Sequence, residues 1–238
     1  MDGVAGSRLI VALDHPDPAA ARRCVEALAG AVERFKVGSV LFTRGGPDLV
    51  RDLISERLAV FLDLKFHDTP ATVAGAVAAA ADLGVDLLTL HAAGGPAMME
   101  AARNAADRSE RPPRLVAVTV LTSLRPEDHA RVVGPGARRL DEAVEALARM
   151  AVDAGMDGLV SSAHEAARLR QALGSTPLLV VPGIRPAWSA SDHGGQARTA
   201  TPAEALRAGA TYLVVGRAVT GTADPSAAVA RIEAEIAP

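Results

Sequence analysis

The chain has 238 residues, of which 49% are hydrophobic and 22% charged, enough to bury a sizeable core in one α/β barrel or doubly wound domain and too apolar for a disordered chain. A net charge of −3 excludes a surface built to hold nucleic acid or an anionic membrane, so any anion site must be local. No stretch approaches ~20 uninterrupted apolar residues, the opening M-D-G-V-A-G-S-R lacks an apolar run behind a basic start, and one cysteine excludes an intramolecular disulfide or a Cys-based metal cluster. These features predict a protein of the reducing cytoplasm with no secretion signal and no membrane span.

Along the chain, short runs rich in Val, Leu and Ile alternate with Ala-rich amphipathic stretches. Strands are expected at 9–14, 35–38, 60–65, 87–91, 115–122, 158–162, 178–183 and 212–216. They are nearly continuously apolar, as strands of a parallel sheet covered on its outer face should be. Crossover helices are expected at 18–29, 72–83, 141–154 and 201–208, with Gly84, Gly155 and Gly209 marking helix ends that need positive φ. Eight strands alternating with helices predict a single (β/α)₈ TIM barrel spanning 1–238, with a doubly wound sheet as the alternative. The least regular segments, 123–139 and 185–200, follow strands and are rich in Pro, Gly, Ser and Arg, which makes them candidate lids.

In a barrel the chemistry lies where strands end, so the polar residues that terminate the apolar runs are the candidates. Asp14 ends the first run, Lys36 lies in the second, the third reads F-L-D-L-K-F-H-D, and His91, Thr122 with Ser123, P-G-I-R and G-R close others. Asp63 and Lys65 are two apart, which in a strand puts both side chains on one face. A purely structural pair there would carry a desolvation cost on the order of several kcal/mol per ion. Asp68 follows in the loop, and Thr72 opens the next helix. Lys36 and Lys65 are also the only lysines among 25 cationic residues. Either an Arg-biased composition left them by chance, or two sites need a compact ammonium that can give up a proton, as Arg does not.

The segment D-L-K-F-H-D-T-P-A-T at 63–72 resembles the D-x-K-x-x-D-x-x-x-T signature of the orotidine 5′-phosphate decarboxylase family in its bacterial form. V-A-L-D ending at Asp14, F-K-V-G at 35–38, L-F-x-x-x-G-P at 41–47, H-A-A-G-G at 91–95, A-V-T-V-L-T-S at 117–123, P-G-I-R at 182–185, T-P at 201–202 and V-V-G-R at 214–217 agree in order. Two positions depart: Thr69 in H-D-T-P, where Ile is more usual, and Gly195 before Gln196, where Asp is expected.

The resemblance implies cofactor-free and metal-free decarboxylation of orotidine 5′-monophosphate to UMP. It assigns Lys65 as the group that stabilises and protonates the C6 carbanion. Asp63 would hold Lys65 beside the departing carboxylate, in an alternating array of Lys36, Asp63, Lys65 and Asp68. Asp14 and Lys36 would contact the ribose. Asp68 and Thr72 would come from the neighbouring subunit of a homodimer, and Thr122 and Ser123 would face the pyrimidine. Gly216 and Arg217 would hold the phosphate, flanked by Arg185 and Gln196. Alternatives are a metal-dependent sugar-phosphate decarboxylase or aldolase on the same scaffold, and a nucleotide-binding protein without turnover. His67 and His91 read as structural rather than as a metal or acid/base pair, Cys24 as a small buried residue, and Met98 and Met99 as core or interface filler. Trp188 lies in the lid segment.

Overall fold

The computed structural model describes residues 7–189 and 199–237. Among the described residues eight parallel strands close into a barrel in chain order: β1 (Leu9–Ala12), β2 (Arg34–Gly38), β3 (Ala59–Phe66), β4 (Leu87–His91), β5 (Arg114–Val118), β6 (Gly158–Val160), β7 (Leu178–Val181) and β8 (Tyr212–Val215). The helices are α1 (Pro18–Ala27), α2 (Ser39–Ser55), α3 (Pro70–Leu83), α4 (Pro96–Asp107), α5 (Pro126–Val133), α6 (Leu140–Asp153), α7 (Ala163–Leu173), α8 (Pro202–Arg207), α9 (Arg217–Thr220) and α10 (Pro225–Ile236). The expected (β/α)₈ barrel is therefore present, and every expected strand forms. Gly84, Gly155 and Gly209 all take positive φ just past a helix. No helix among the described residues is long and apolar enough to cross a membrane.

Alternation inside the apolar strands decides which side chain goes where. Ile10, Ala12, Phe61, Leu87, Val116, Val118, Val160, Val180 and Val214 fill the barrel interior, while Leu9, Val11, Phe35, Val37, Leu62, Leu88 and Leu90 point outward into the layer beneath the helices. Both faces of each strand are covered, so the runs read as continuously apolar. The same alternation sends Lys36 of β2, Asp63 of β3 and Thr89 of β4 toward the barrel axis, one layer above the apolar plug.

Several runs overshoot the strands they contain. Residues 13–14, 119–122, 161–162, 182–183 and 216 lie beyond the ends of β1, β5, β6, β7 and β8. Val120 is still buried, so its apolar character outlasts the ladder and lengthens the apparent strand. The segment 123–139, expected to be irregular, contains α5. Cys24, Met98 and Met99 are buried in the core as expected.

The opposite, N-terminal end of the barrel is closed by a polar cluster. Asp86 accepts a two-pronged contact from Arg114 at 2.7 and 2.8 Å and a bond from Arg34 at 3.0 Å. Arg114 also donates to the Tyr212 hydroxyl at 3.1 Å, and Arg34 lies 4.8 Å from the centre of that ring. One carboxylate thus serves two guanidiniums contributed by different strands. Asp86→Ala leaves both without it and is expected to lower the free energy of unfolding by about 2 kcal/mol. Urea denaturation at neutral pH measures this, and a loss below about 0.5 kcal/mol, the usual range of a surface change, would make the cluster ornamental.

Candidate active site

The mouth of the barrel is built around an irregularity in β3. Leu62 pairs with Leu88 and Phe66 with Leu90, so four steps along β3 are matched by two along β4. The surplus is taken up as a bulge in which Lys65 adopts φ +52°, a left-handed conformation that costs a non-glycine residue about 1–2 kcal/mol. The expected two-residue alternation therefore does not operate between Asp63 and Lys65, yet the bulge still brings them together. Lys65 Nζ is 2.7 Å from Asp63 Oδ1. Strained backbone of this kind is maintained where the surrounding structure over-determines it, commonly at a functional site.

Three further groups extend the pair. Lys36 Nζ lies 3.5 Å from Asp63 Oδ2 and 3.2 Å from Asp14 Oδ1, giving the alternating row Asp14, Lys36, Asp63, Lys65. Thr89, fully buried, donates its hydroxyl to Asp63 Oδ1 at 3.1 Å and accepts the backbone N–H of Lys65 at 2.8 Å. Burial alone would push the Asp63 carboxyl up; the Lys36 and Lys65 ammoniums, with the hydrogen bonds from Lys65 and Thr89, outweigh it and hold the group below the usual carboxylate range. Asp63 is thus an anion at neutral pH, clamped between two cations. Gly38 suits this crowding: a Cβ there would meet Lys36 Nζ at 3.1 Å and push the ammonium by a few tenths of an ångström.

Asp14, Lys36, Asp63 and Lys65 form one wall of a cavity of about 270 Å³. Phe61, Val118, Val160, Val180 and Val214 make its apolar floor, Thr122 stands on a second side, and Gly183, Arg185, Gly216 and Arg217 close a third. A Cβ on Gly216 would come within 3.1 Å of Asp14 Oδ2, so glycine keeps that corner open. The structure brings together Asp14, Lys36, Asp63, Lys65, Thr122, Arg185, Gly216 and Arg217.

Other expected site residues stand apart. Ser123 lies in the turn after β5 and is exposed, outside the residues that line this cavity. Asp68 and Thr72 are exposed and line a second hollow, with Phe66, His67 and also Lys65, on the flank of the mouth. Gln196 lies outside the described residues, as does most of the expected lid at 185–200. At its start, Trp188 stacks against the Arg231 guanidinium of α10 at 4.5 Å and borders a hollow shared with Arg185 and Arg217. His67 and His91 meet ring to ring at 5.3 Å, and burial, then the neighbouring His67 and Lys65, hold His91 below its ordinary range. Among the described residues no group of three His, Cys, Asp or Glu is placed to hold a metal. Thr89 was not singled out from the sequence; its place two residues after the inward-facing Leu87 was the available signal.

The family model described as "Orotidine 5'-phosphate decarboxylase / HUMPS family" matches residues 7–232. The chain belongs to this family. It is 50% identical over 231 residues to the orotidine 5′-phosphate decarboxylase of Nitrosococcus oceani, covering 97% of each chain. With that of Chromohalobacter salexigens it is 52% identical over 229 residues, covering 96% of this chain and 95% of that one. Among solved structures, the orotidine 5′-phosphate decarboxylase of Lactobacillus acidophilus superposes with a TM-score of 0.84 at 35% identity, covering 97% of this chain and 99% of that one. In this member of the family, the D-x-K part of the signature is the β3 bulge itself, and its second Asp and its Thr lie on the neighbouring flank.

Proposed function

We propose that the chain decarboxylates orotidine 5′-monophosphate to UMP, the closing step of de novo pyrimidine synthesis. The relatives' names support the activity. The observation that carries the reading is the Lys36–Asp63–Lys65 cluster at the rim of an apolar-floored cavity. Breaking the bond between C6 and the carboxylate leaves its electron pair on C6, with no carbonyl placed to receive it. An ammonium beside C6 stabilises that charge and then delivers its proton, and solvent restores the proton to the amine. Lys65 takes this role. Asp63 holds Lys65 and lies near the departing carboxylate, and the apolar floor keeps water away, strengthening every charge interaction above it.

Recognition divides into three regions. Asp14 and Lys36 supply an acceptor and a donor for ribose hydroxyls, while Thr122 in the cavity wall, with Ser123 reaching in from the adjoining turn once substrate is bound, serves the pyrimidine edge. The phosphate goes to the ends of β7 and β8, where Gly216 leaves room beside the backbone and Arg217, with Arg185 and Gln196, supplies charge and hydrogen bonds. Arg217→Ala should therefore weaken binding of UMP by on the order of 100-fold while changing binding of uridine little, because it removes a charge-assisted contact to one group. Calorimetric titration of both ligands checks this, and equal losses would move the phosphate elsewhere.

The working unit is a homodimer with shared sites. Asp68 and Thr72 are exposed and do not line their own chain's main cavity, an exposure suited to completing a neighbour's array. One cysteine, buried and free, accords with the cytoplasm.

The absorbance change of orotidine 5′-monophosphate, followed with and without EDTA, tests the activity. Turnover indifferent to the chelator is expected. Turnover abolished by it, or given only with a sugar phosphate, would replace the reading with the metal-dependent alternative; UMP binding without turnover would leave a nucleotide-binding protein.

A further inference from the structure

The bulge in β3 raises a question that the charged array does not answer: what keeps Lys65 in a backbone conformation that a lysine disfavours. Hydrogen bonds to the neighbouring strand are interrupted between Leu62 and Phe66, so the Lys65 amide has lost its ladder partner. Thr89 of β4 replaces it. Its hydroxyl has one proton, and the two partners leave a single arrangement: the oxygen accepts the Lys65 N–H at 2.8 Å and the O–H goes to Asp63 Oδ1 at 3.1 Å. The same Oδ1 receives the Lys65 ammonium at 2.7 Å. A closed ring results, running from the Lys65 amide through Thr89 to Asp63 and back to the Lys65 head group. Thr89 has no exposed surface, so water cannot substitute for either bond.

We propose that Thr89 is a positioning residue for the reaction, its hydroxyl locking the β3 bulge and the Asp63 carboxylate together so that the Lys65 ammonium is held in reactive register. This rests on the decarboxylase reading above. It differs from a merely structural role, in which the hydroxyl satisfies a buried amide and affects stability alone.

Thr89→Val keeps the shape and removes the hydroxyl; Thr89→Ser keeps the hydroxyl. The valine variant is expected to lower kcat on the order of 10- to 100-fold, as a small displacement of a catalytic group does, with KM within about threefold, since the ribose and phosphate contacts are untouched. The acid limb of its kcat profile should move to higher pH, because the ionised Asp63 loses a hydrogen bond that favours it. The other charged or titratable groups around Asp63 are Lys36 of β2, with Asp14 behind it, Lys65 on its own strand, and His91 with His67 beside β4; none is changed by the substitution. Thr89→Ser should restore both kcat and the pH profile. If the valine variant fails to fold, Thr89→Ala, which lacks the hydroxyl and adds no bulk, carries the same expectations. Wild-type kcat and pH profile in a hydroxyl-free variant, or a serine variant no better than valine, would overturn the proposal. Inactivity of the wild-type protein would instead overturn the functional reading, and a crystal structure of the variant then decides. Lys65 leaving its left-handed φ, or its ammonium leaving Asp63, supports the lock; both unchanged refutes it.

Discussion

Lys65→Ala is expected to reduce turnover by on the order of 10⁴-fold or more, the combined loss of a proton donor and of a preorganised charge at the carbanion. UMP should still bind, because the proposed phosphate and ribose contacts lie on other strands. The change also leaves Asp63 with Lys36 as its only ammonium at contact distance. Its carboxyl should therefore rise from its lowered position. Single-turnover kinetics beside calorimetric titration of UMP separate the two effects. Turnover within about tenfold of wild type would assign protonation to another group, whereas loss of UMP binding in step with turnover would show that Lys65 holds the ground state rather than the transition state.

Mixing two inactive variants should restore activity. If each site takes Lys65 from one chain and Asp68 from the other, then Lys65→Ala and Asp68→Ala dimers are each nearly dead, but a mixed dimer has one site with both lesions and one with neither. Random exchange makes about half the dimers mixed, so about a quarter of wild-type sites should return. Were Asp68 to act within its own chain, every site would keep one lesion and nothing would return. Native mass spectrometry establishes that exchange has occurred, which makes a null result decisive. The exposure of Asp68 and Thr72 outside the main cavity is what motivates the experiment.

The barrel was legible because its signal is redundant. Eight apolar runs with glycine-marked helix ends leave few alternatives, and missing one would not have changed the architecture. Local geometry was less accessible. Spacing alone put Asp63 and Lys65 on one face, and the two do meet, but through a bulge and a positive φ rather than through strand alternation. Composition carries no trace of such a bulge, because the residue at the strained position is lysine and not glycine. Thr89 was overlooked because it is one hydroxyl inside L-L-T-L-H, and its importance comes from what it faces across the strand pair. The helix α5 was hidden for another reason: it is only eight residues long, and the side chain it buries is a histidine, His129, rather than an apolar residue. The polar cluster closing the far end is assembled from Arg34, Asp86, Arg114 and Tyr212, too widely separated along the chain for any local pattern to reveal.

The central claim is that this cavity removes carbon dioxide from C6 and replaces it with a proton delivered by an exchangeable ammonium. Orotidine 5′-monophosphate labelled in its carboxyl carbon, incubated with the purified protein in heavy water, tests it in one reaction. The account predicts labelled carbon dioxide and UMP in equal amounts, the UMP carrying a single deuterium at C6. Substrate recovered intact after prolonged incubation with excess protein, or label retained in the nucleotide product, would contradict it.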